Sequence, residues 1–203
     1  MEWTSLSSTL DNLIDCVTAN AQLIDNCVIF RCAANCIPLL IQQKIDRSDF
    51  FNRSWAEFKV GFNDTRGNYW LGNDLLSQLT QNGRYKLRFD LQFQNLSWSY
   101  AEYSSFAVLN EANNYRLHVS GYSGNAGDAL SYQDGMMFTT YDRDNDPWIS
   151  TPNNDNCAVL FGGGFWYKNC AWCRVNGVRG QFEWYRPTSG WNDLHSTRMW
   201  LTC

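Results

Sequence analysis

The run Tyr85-Lys86-Leu87-Arg88-Phe89-Asp90-Leu91 decides the architecture of this chain. Its odd positions are apolar or aromatic and its even positions charged. That period of two belongs to an extended strand with one buried and one solvated face. Shorter runs repeat the alternation downstream, in Tyr115-Arg116-Leu117-His118-Val119 and in Glu183-Trp184-Tyr185. Turn dipeptides at Asn82-Gly83, Asp134-Gly135 and Asn176-Gly177 punctuate them. Between the strands, Asn73 to Leu79 reads as a short helix. The fold class is α+β, with a mainly antiparallel central sheet, short helices and long loops toward the C-terminus. No repeat and no low-complexity linker interrupts it.

Upstream, residues 9–24 carry a helical pattern. Leu10, Leu13, Ile14, Val17 and Ala21 share one face, and Ser8 with Asp11 offers a weak capping box. The polar face lacks Lys and Arg, so this helix is expected to pack rather than lie on a membrane. Val28-Ile29-Phe30 and Ile37-Pro38-Leu39-Leu40-Ile41 read as buried strands.

The bulk numbers narrow the function. A chain of 203 residues suits one large domain or two small ones. Its 16% aromatic content exceeds what a disordered chain carries. A net charge of −4 argues against a nucleic-acid binder, which would concentrate Lys and Arg against phosphate. No apolar run approaches the roughly 20 residues that a membrane helix needs. The eight cysteines are an even number at high density, which points to disulfides and an oxidising compartment. Glu-Trp-Thr-Ser-Leu-Ser-Ser after Met1 shows no basic n-region and no apolar h-region. No signal peptide is visible there, and the expectation is a secreted protein whose N-terminus is incomplete.

Three motifs carry possible chemistry. In Asp142-Arg143-Asp144-Asn145-Asp146, carboxylates at alternate loop positions can converge on a hard cation such as calcium; the competing reading is a solvated acidic turn. An EF-hand is excluded, because its sixth and twelfth positions would fall on Pro147 and Asn153 rather than Gly and Glu. Cys170-Ala171-Trp172-Cys173 has redox or zinc spacing. A turn (Arg174-Val175-Asn176-Gly177) follows where a thiol-activating helix would have to start, and zinc would need Cys32 and Cys36 as a second pair. Structural disulfides are the simpler account. Gly162-Gly163-Gly164 precedes aromatics rather than a helix and reads as a bend. The two histidines, His118 and His195, belong to no hydrolase arrangement, and no nucleophile elbow, zinc-protease helix or phosphate loop is present.

Several stretches together resemble the fibrinogen C-terminal globular domain. They are Asp49 to Phe62 (DFFNRSWAEFKVGF), Gly67 to Asp74 (GNYWLGND), Tyr103 to Phe106, Gly121 to Asp128 (GYSGNAGD) and the Asp142–Asp146 run. The resemblance covers about residues 37–203 and leaves 1–36 as an atypical N-terminal segment. It implies a non-catalytic recognition module of the ficolin, tachylectin, angiopoietin and tenascin kind. Calcium would be held by Asp144 and Asp146 with the carbonyls of Trp148 and Ser150. Cys157 would pair with Cys170, and Cys32 would correspond to an N-terminal cysteine partnered by Cys16 or Cys27. The ligand pocket would lie beside the calcium loop, walled by Trp166, Tyr167, Lys168, Asn169, Cys170, Ala171 and Trp191.

The chain departs from the family pattern in three places. Ala171 stands where His is usual, the segment between Gly177 and Phe182 is short, and Ile37 to Asp46 lacks the usual glycines and Trp. The leading expectation is calcium-dependent binding of acetylated sugars or other surface ligands, in the manner of an innate-defence lectin. The rival is a protein-interaction domain of receptor-binding or matrix type, in which the acetyl pocket is defunct. Partners are therefore glycans, acetylated ligands or a protein receptor, with a homo-oligomer as a further possibility. Sequons at Asn52, Asn63 and Asn95 fit a secreted glycoprotein.

Overall fold

The computed structural model describes residues 38–81, 85–149, 156–178 and 180–202. The N-terminal helix expected over 9–24, the Val28–Phe30 strand, the Asn82-Gly83 turn, Ser150 and cysteines 16, 27, 32, 36 and 203 lie outside them.

Among the described residues, nine strands form a fully antiparallel sheet. They are β1 (Leu39–Lys44), β2 (Phe62–Asn63), β3 (Tyr69–Trp70), β4 (Lys86–Phe93), β5 (Trp98–Val108), β6 (Leu117–Gly124), β7 (Cys173–Arg174), β8 (Glu183–Arg186) and β9 (Gly190–Thr202). The order is β2-β3-β1-β9-β4-β5-β6, and β7 joins through β8 to β9. Three short helices accompany it: α1 (Trp55–Val60), α2 (Asn73–Thr80) and α3 (Cys157–Phe161).

The alternation in β4 is realised in full. Leu87, Phe89, Leu91 and Phe93 are buried, while Lys86, Arg88, Asp90 and Gln92 face outward. Leu87 and Phe89 pair across to Tyr103 and Ala101 on β5 and to Leu201 and Met199 on β9, so three strands pool one apolar face. In β5 the alternation changes phase. Tyr103 and Phe106 point inward with Ser104 and Ser105 exposed between them. Gly121 permits this on β6: its φ is 73°, and a Cβ there would lie 2.0 Å from Ser104 Oγ.

The strand expected from Tyr115 begins two residues later. Asn114 and Tyr115 both take left-handed backbone, with φ of 51° and 48°. Tyr115 is fixed there because its hydroxyl donates to Asp74 (2.5 Å) and its carbonyl accepts from Trp166 Nε1 (2.7 Å). Side-chain anchoring outweighs the local preference for extension.

Candidate functional site

The acidic loop is built by splitting its three aspartates. Asp142 Oδ1 accepts the backbone N–H of Trp55 (2.9 Å) and the hydroxyl of Thr140 (2.7 Å), so this carboxylate serves the N-terminus of α1. Ser54 and Glu57 add a capping box to the same helix end. Asp142 therefore does not converge with the other two. Arg143 also turns away, lying 4.0 Å above Trp55 and donating to Asn114 Oδ1 (2.6 Å). Asn145 turns inward, its amide donating to the Phe138 carbonyl (2.7 Å).

Asp144 and Asp146 remain together. Among the described residues neither joins an ion pair, and no cluster of three or more His, Cys, Asp or Glu forms. Asp146 accepts the N–H groups of Trp148 (3.0 Å) and Cys157 (3.0 Å), and the Asp146 N–H bonds Asp144 Oδ1 (3.1 Å). Burial pushes the Asp146 carboxyl up to about 6; the two N–H donors oppose this and the Asp144 charge reinforces it. Two adjacent carboxylates short of positive charge fit a hard cation. Asp144 and Asp146 would hold calcium with backbone carbonyls, which supply the oxygen ligands it prefers.

Behind this loop the chain is stapled by one covalent bond and several buried amides. Cys157 is disulfide-bonded to Cys170 across a Cα separation of 5.7 Å. Asn156 caps α3 through Ala158 N (2.7 Å) and Val159 N (3.1 Å) while donating to the Thr140 carbonyl (2.9 Å). Gln133, fully buried, donates to the Trp166 carbonyl (2.7 Å) and accepts from the N–H groups of Trp172 (3.2 Å) and Cys173 (3.1 Å). Asp146, Cys157 and Cys170 thus form one mechanical path from the acidic loop to the Cys170–Cys173 turn. The turn is not a redox pair. Cys170 bonds Cys157, and Cys173 is a free, buried thiol held against Gln133 whose pKa burial raises.

Above this scaffold lies a row of aromatic rings. Tyr132 stacks on Trp172 at 4.5 Å and 9°, Trp172 meets Tyr185 at 5.2 Å, and Tyr185 meets Trp191 edge-on at 5.5 Å. Lys168 Nζ sits 4.8 Å from the Tyr132 ring, and Arg174 lies 3.9 Å from Trp191 while pairing with Glu183 at 2.6 Å. Trp172 and Trp191 are each 40% exposed.

Residues 31–202 match the family described as "Fibrinogen beta and gamma chains, C-terminal globular domain". The chain belongs to that family. It is 42% identical over 157 residues to mouse tenascin and 40% identical over 140 residues to human Ficolin-3, covering 77% and 68% of this chain. It spans 7% of the length of that tenascin and 45% of Ficolin-3. Among solved structures, the fibrinogen-like globe domain of human ANGPTL2 superposes with a TM-score of 0.72 at 35% identity, covering 81% of this chain and 79% of that one. The lamprey fibrin D-dimer complexed with the peptide Gly-His-Arg-Pro-amide gives 0.67 at 29% identity, covering 80% and 60%. The chain is a fibrinogen-related recognition domain.

The expected site residues of this fibrinogen-related domain separate by depth. Trp166 and Tyr167 are fully buried: Trp166 packs on Trp70, Phe106 and Phe138, and the Tyr167 hydroxyl donates to the Gly163 carbonyl (2.6 Å). Expected as pocket walls, both rings are interior, and each has its polar atom satisfied inside. Ala171 is buried as well. Lys168, Asn169, Cys170 and Trp191 reach solvent. The sequence reading missed Trp172, Tyr185, Tyr132 and Gln133. Trp172 could have been found as a large ring in a turn with no alternating neighbours; the stacking partners come from distant elements and left no local signal.

Proposed function

We propose that this domain is an extracellular recognition module whose calcium-held loop fixes the Lys168–Trp172 turn, and that its ligand is a protein surface. The observation that carries this reading is the row Tyr132, Trp172, Tyr185 and Trp191. Its ring faces are largely spent on one another, so it offers aromatic edges, flanked by Lys168 and Arg174. Trp, Tyr and Arg packed this way are the side chains that dominate protein–protein hot spots. An acetyl pocket would draw on open ring faces and side-chain donors, yet Trp166 and Tyr167 are interior and the Ala171 side chain supplies no hydrogen-bonding group. A secreted location is supported by the Cys157–Cys170 disulfide and by the exposure of Asn52, Asn63 and Asn95.

Acetylated sugars are the second reading, favoured by the Asp146–Cys157–Cys170 path that ties the acidic loop to the turn. Binding of the domain to cells separates the two readings. Binding should be lost on protease treatment of the cells and fall about thirtyfold in Trp172→Ala, the size of a hot-spot loss. Binding that survives protease and is competed by free N-acetylglucosamine would overturn the protein reading; in that case Ala171→His should strengthen it. Calorimetric titration of calcium into wild type and Asp144→Ala tests the loop. Affinity should sit in the ~10⁻⁴–10⁻³ M range of extracellular modules and be lost in the variant.

A further inference from the structure

We propose that the cleft between the Gly124–Asp128 loop and the Arg186–Thr188 turn is a small-molecule site for a hydroxylated carboxylate of the acidic-sugar class. It is independent of the calcium loop and of the aromatic row. The cleft is an open concavity of about 430 Å³ between Tyr122, Gly124 to Asp128, Arg186, Pro187 and Thr188. That volume lies within the roughly 300–1,000 Å³ range of ligand pockets.

Two oppositely charged residues, Arg186 and Asp128, line this cleft, and among the described residues neither joins an ion pair. The Arg186 guanidinium is fixed, lying 4.1 Å from the Phe93 ring and donating one N–H to Ser99 Oγ (2.8 Å). Its Nε is buried without an acceptor, and among the described residues no carboxylate stands within ion-pair distance. Arg174, by contrast, has Glu183 at 2.6 Å. Asp128 Oδ1 accepts from the Tyr103 hydroxyl (3.0 Å) and from Ser131 N–H (3.2 Å), but no cation pairs with this carboxylate among the described residues. The Tyr122 hydroxyl accepts the Gly127 N–H (2.9 Å) and keeps its own proton to donate.

The walls are preorganised. Trp184 Nε1 is shared between the carbonyls of Ala126 and Gly127, each at 3.1 Å, and the Tyr100 carbonyl takes the N–H groups of Asn125 and Ala126. Gly127, at φ 87°, lies so close to the opposite turn that a Cβ would meet Pro187 Cδ at 3.0 Å. A ligand entering the cleft therefore orders little.

The chemistry selects the ligand. A carboxylate satisfies the guanidinium with charge-assisted bonds. Hydroxyls satisfy Asp128, and the Tyr122 ring with the Pro187 ring gives an apolar surface for the C–H face of a pyranose. A neutral sugar leaves Arg186 uncompensated. A simple anion brings like charge toward Asp128 with no hydroxyl to offer it.

Titration of the ¹⁵N-labelled whole domain with D-glucuronate, D-glucose and acetate tests this, with and without calcium. Glucuronate should shift the amides of Gly124, Gly127 and Thr188 and bind at least about tenfold more tightly than either control, a factor that one charge-assisted bond supplies. Arg186→Gln should lose about tenfold and Arg186→Lys less. Thr188→Trp, at the exposed rim, should block the cleft while leaving the fold intact. Glucose binding as well as glucuronate, an unchanged affinity in Arg186→Gln, or no amide shifts with any probe would each overturn the proposal. Neither loss of calcium nor Trp172→Ala should alter it, which separates its failure from failure of the protein-recognition reading.

Discussion

The β4-β5-β9 sheet and the segment from Gln133 to Val178 are held by different forces. In the sheet, apolar side chains from three strands meet on one face, and each contact is replaceable by another of similar volume. In the segment, buried amides and carboxylates each satisfy named backbone groups. Gln133 serves Trp166, Trp172 and Cys173; Asn156 serves α3 and Thr140; Asn176 donates to the Gly164 carbonyl (2.9 Å) and accepts from Gln42 (3.0 Å). Nondirectional burial tolerates variation; a directional bond with no water to substitute for it does not. The proposed recognition row takes Trp172 from this less tolerant segment and Tyr185 and Trp191 from strands β8 and β9.

The largest expected effect attacks the sheet. Phe89→Ala should cost about 4 kcal/mol, read as a drop in the urea midpoint with cooperative loss of the whole domain. If the segment unfolds separately from the sheet in this variant, the two regions are less coupled than the shared buried contacts imply.

Gln133→Leu keeps the volume but removes the bonds, and should cost about 3 kcal/mol by stranding the N–H groups of Trp172 and Cys173. Hydrogen exchange should accelerate at those two amides and not along β4. A cost below about 1 kcal/mol would mean that apolar packing dominates the segment too.

Lys44 is the charged side chain buried inside the sheet, on β1, with its ammonium donating to the Ser48 carbonyl (2.7 Å). Burial lowers its pKa from 10.5 to about 8, against opposing help from Asp46 and Asp49. Below about pH 8 the folded chain must hold this charge out of water. Between about 8 and 10.5 the unfolded chain binds the proton and the folded chain does not, so stability should rise with pH across that window. Lys44→Met should stabilise the domain by about 2 kcal/mol at neutral pH and flatten the rise. Denaturant melts from pH 7 to 10.5 check both. A destabilised variant would show that the Ser48 bond and the Phe51 and Phe182 ring contacts outweigh desolvation.

The smallest effect separates the aspartates. Asp142→Ala should cost about 1 kcal/mol through α1 while leaving calcium affinity unchanged. A loss of calcium affinity equal to that of Asp144→Ala would return Asp142 to the ion site.

The sequence by itself determined the sheet, the short α2 helix, the family and the Cys157–Cys170 bond that its resemblance implied. The sheet and the helix were legible because period-two burial in β4 and the turn dipeptides are local signals, whereas the family and the disulfide came from the collinear motifs of the resemblance. Tertiary structure decided the rest. Asp142 left the acidic cluster because α1, 87 positions upstream, presented an unsatisfied N–H to it. Trp166 and Tyr167 went inward while Trp172 went out, because the free space beside them is set by Trp70, Phe138 and Gln133, which come from other elements. Gly163 lies against Asn176, where a Cβ would fall 2.2 Å from the carbonyl oxygen, so the glycine run is a close approach of two backbones that no spacing rule encodes. Hydrogen bonds and ring contacts between distant segments depend on which atoms arrive in one place, and that is fixed only after the sheet has closed.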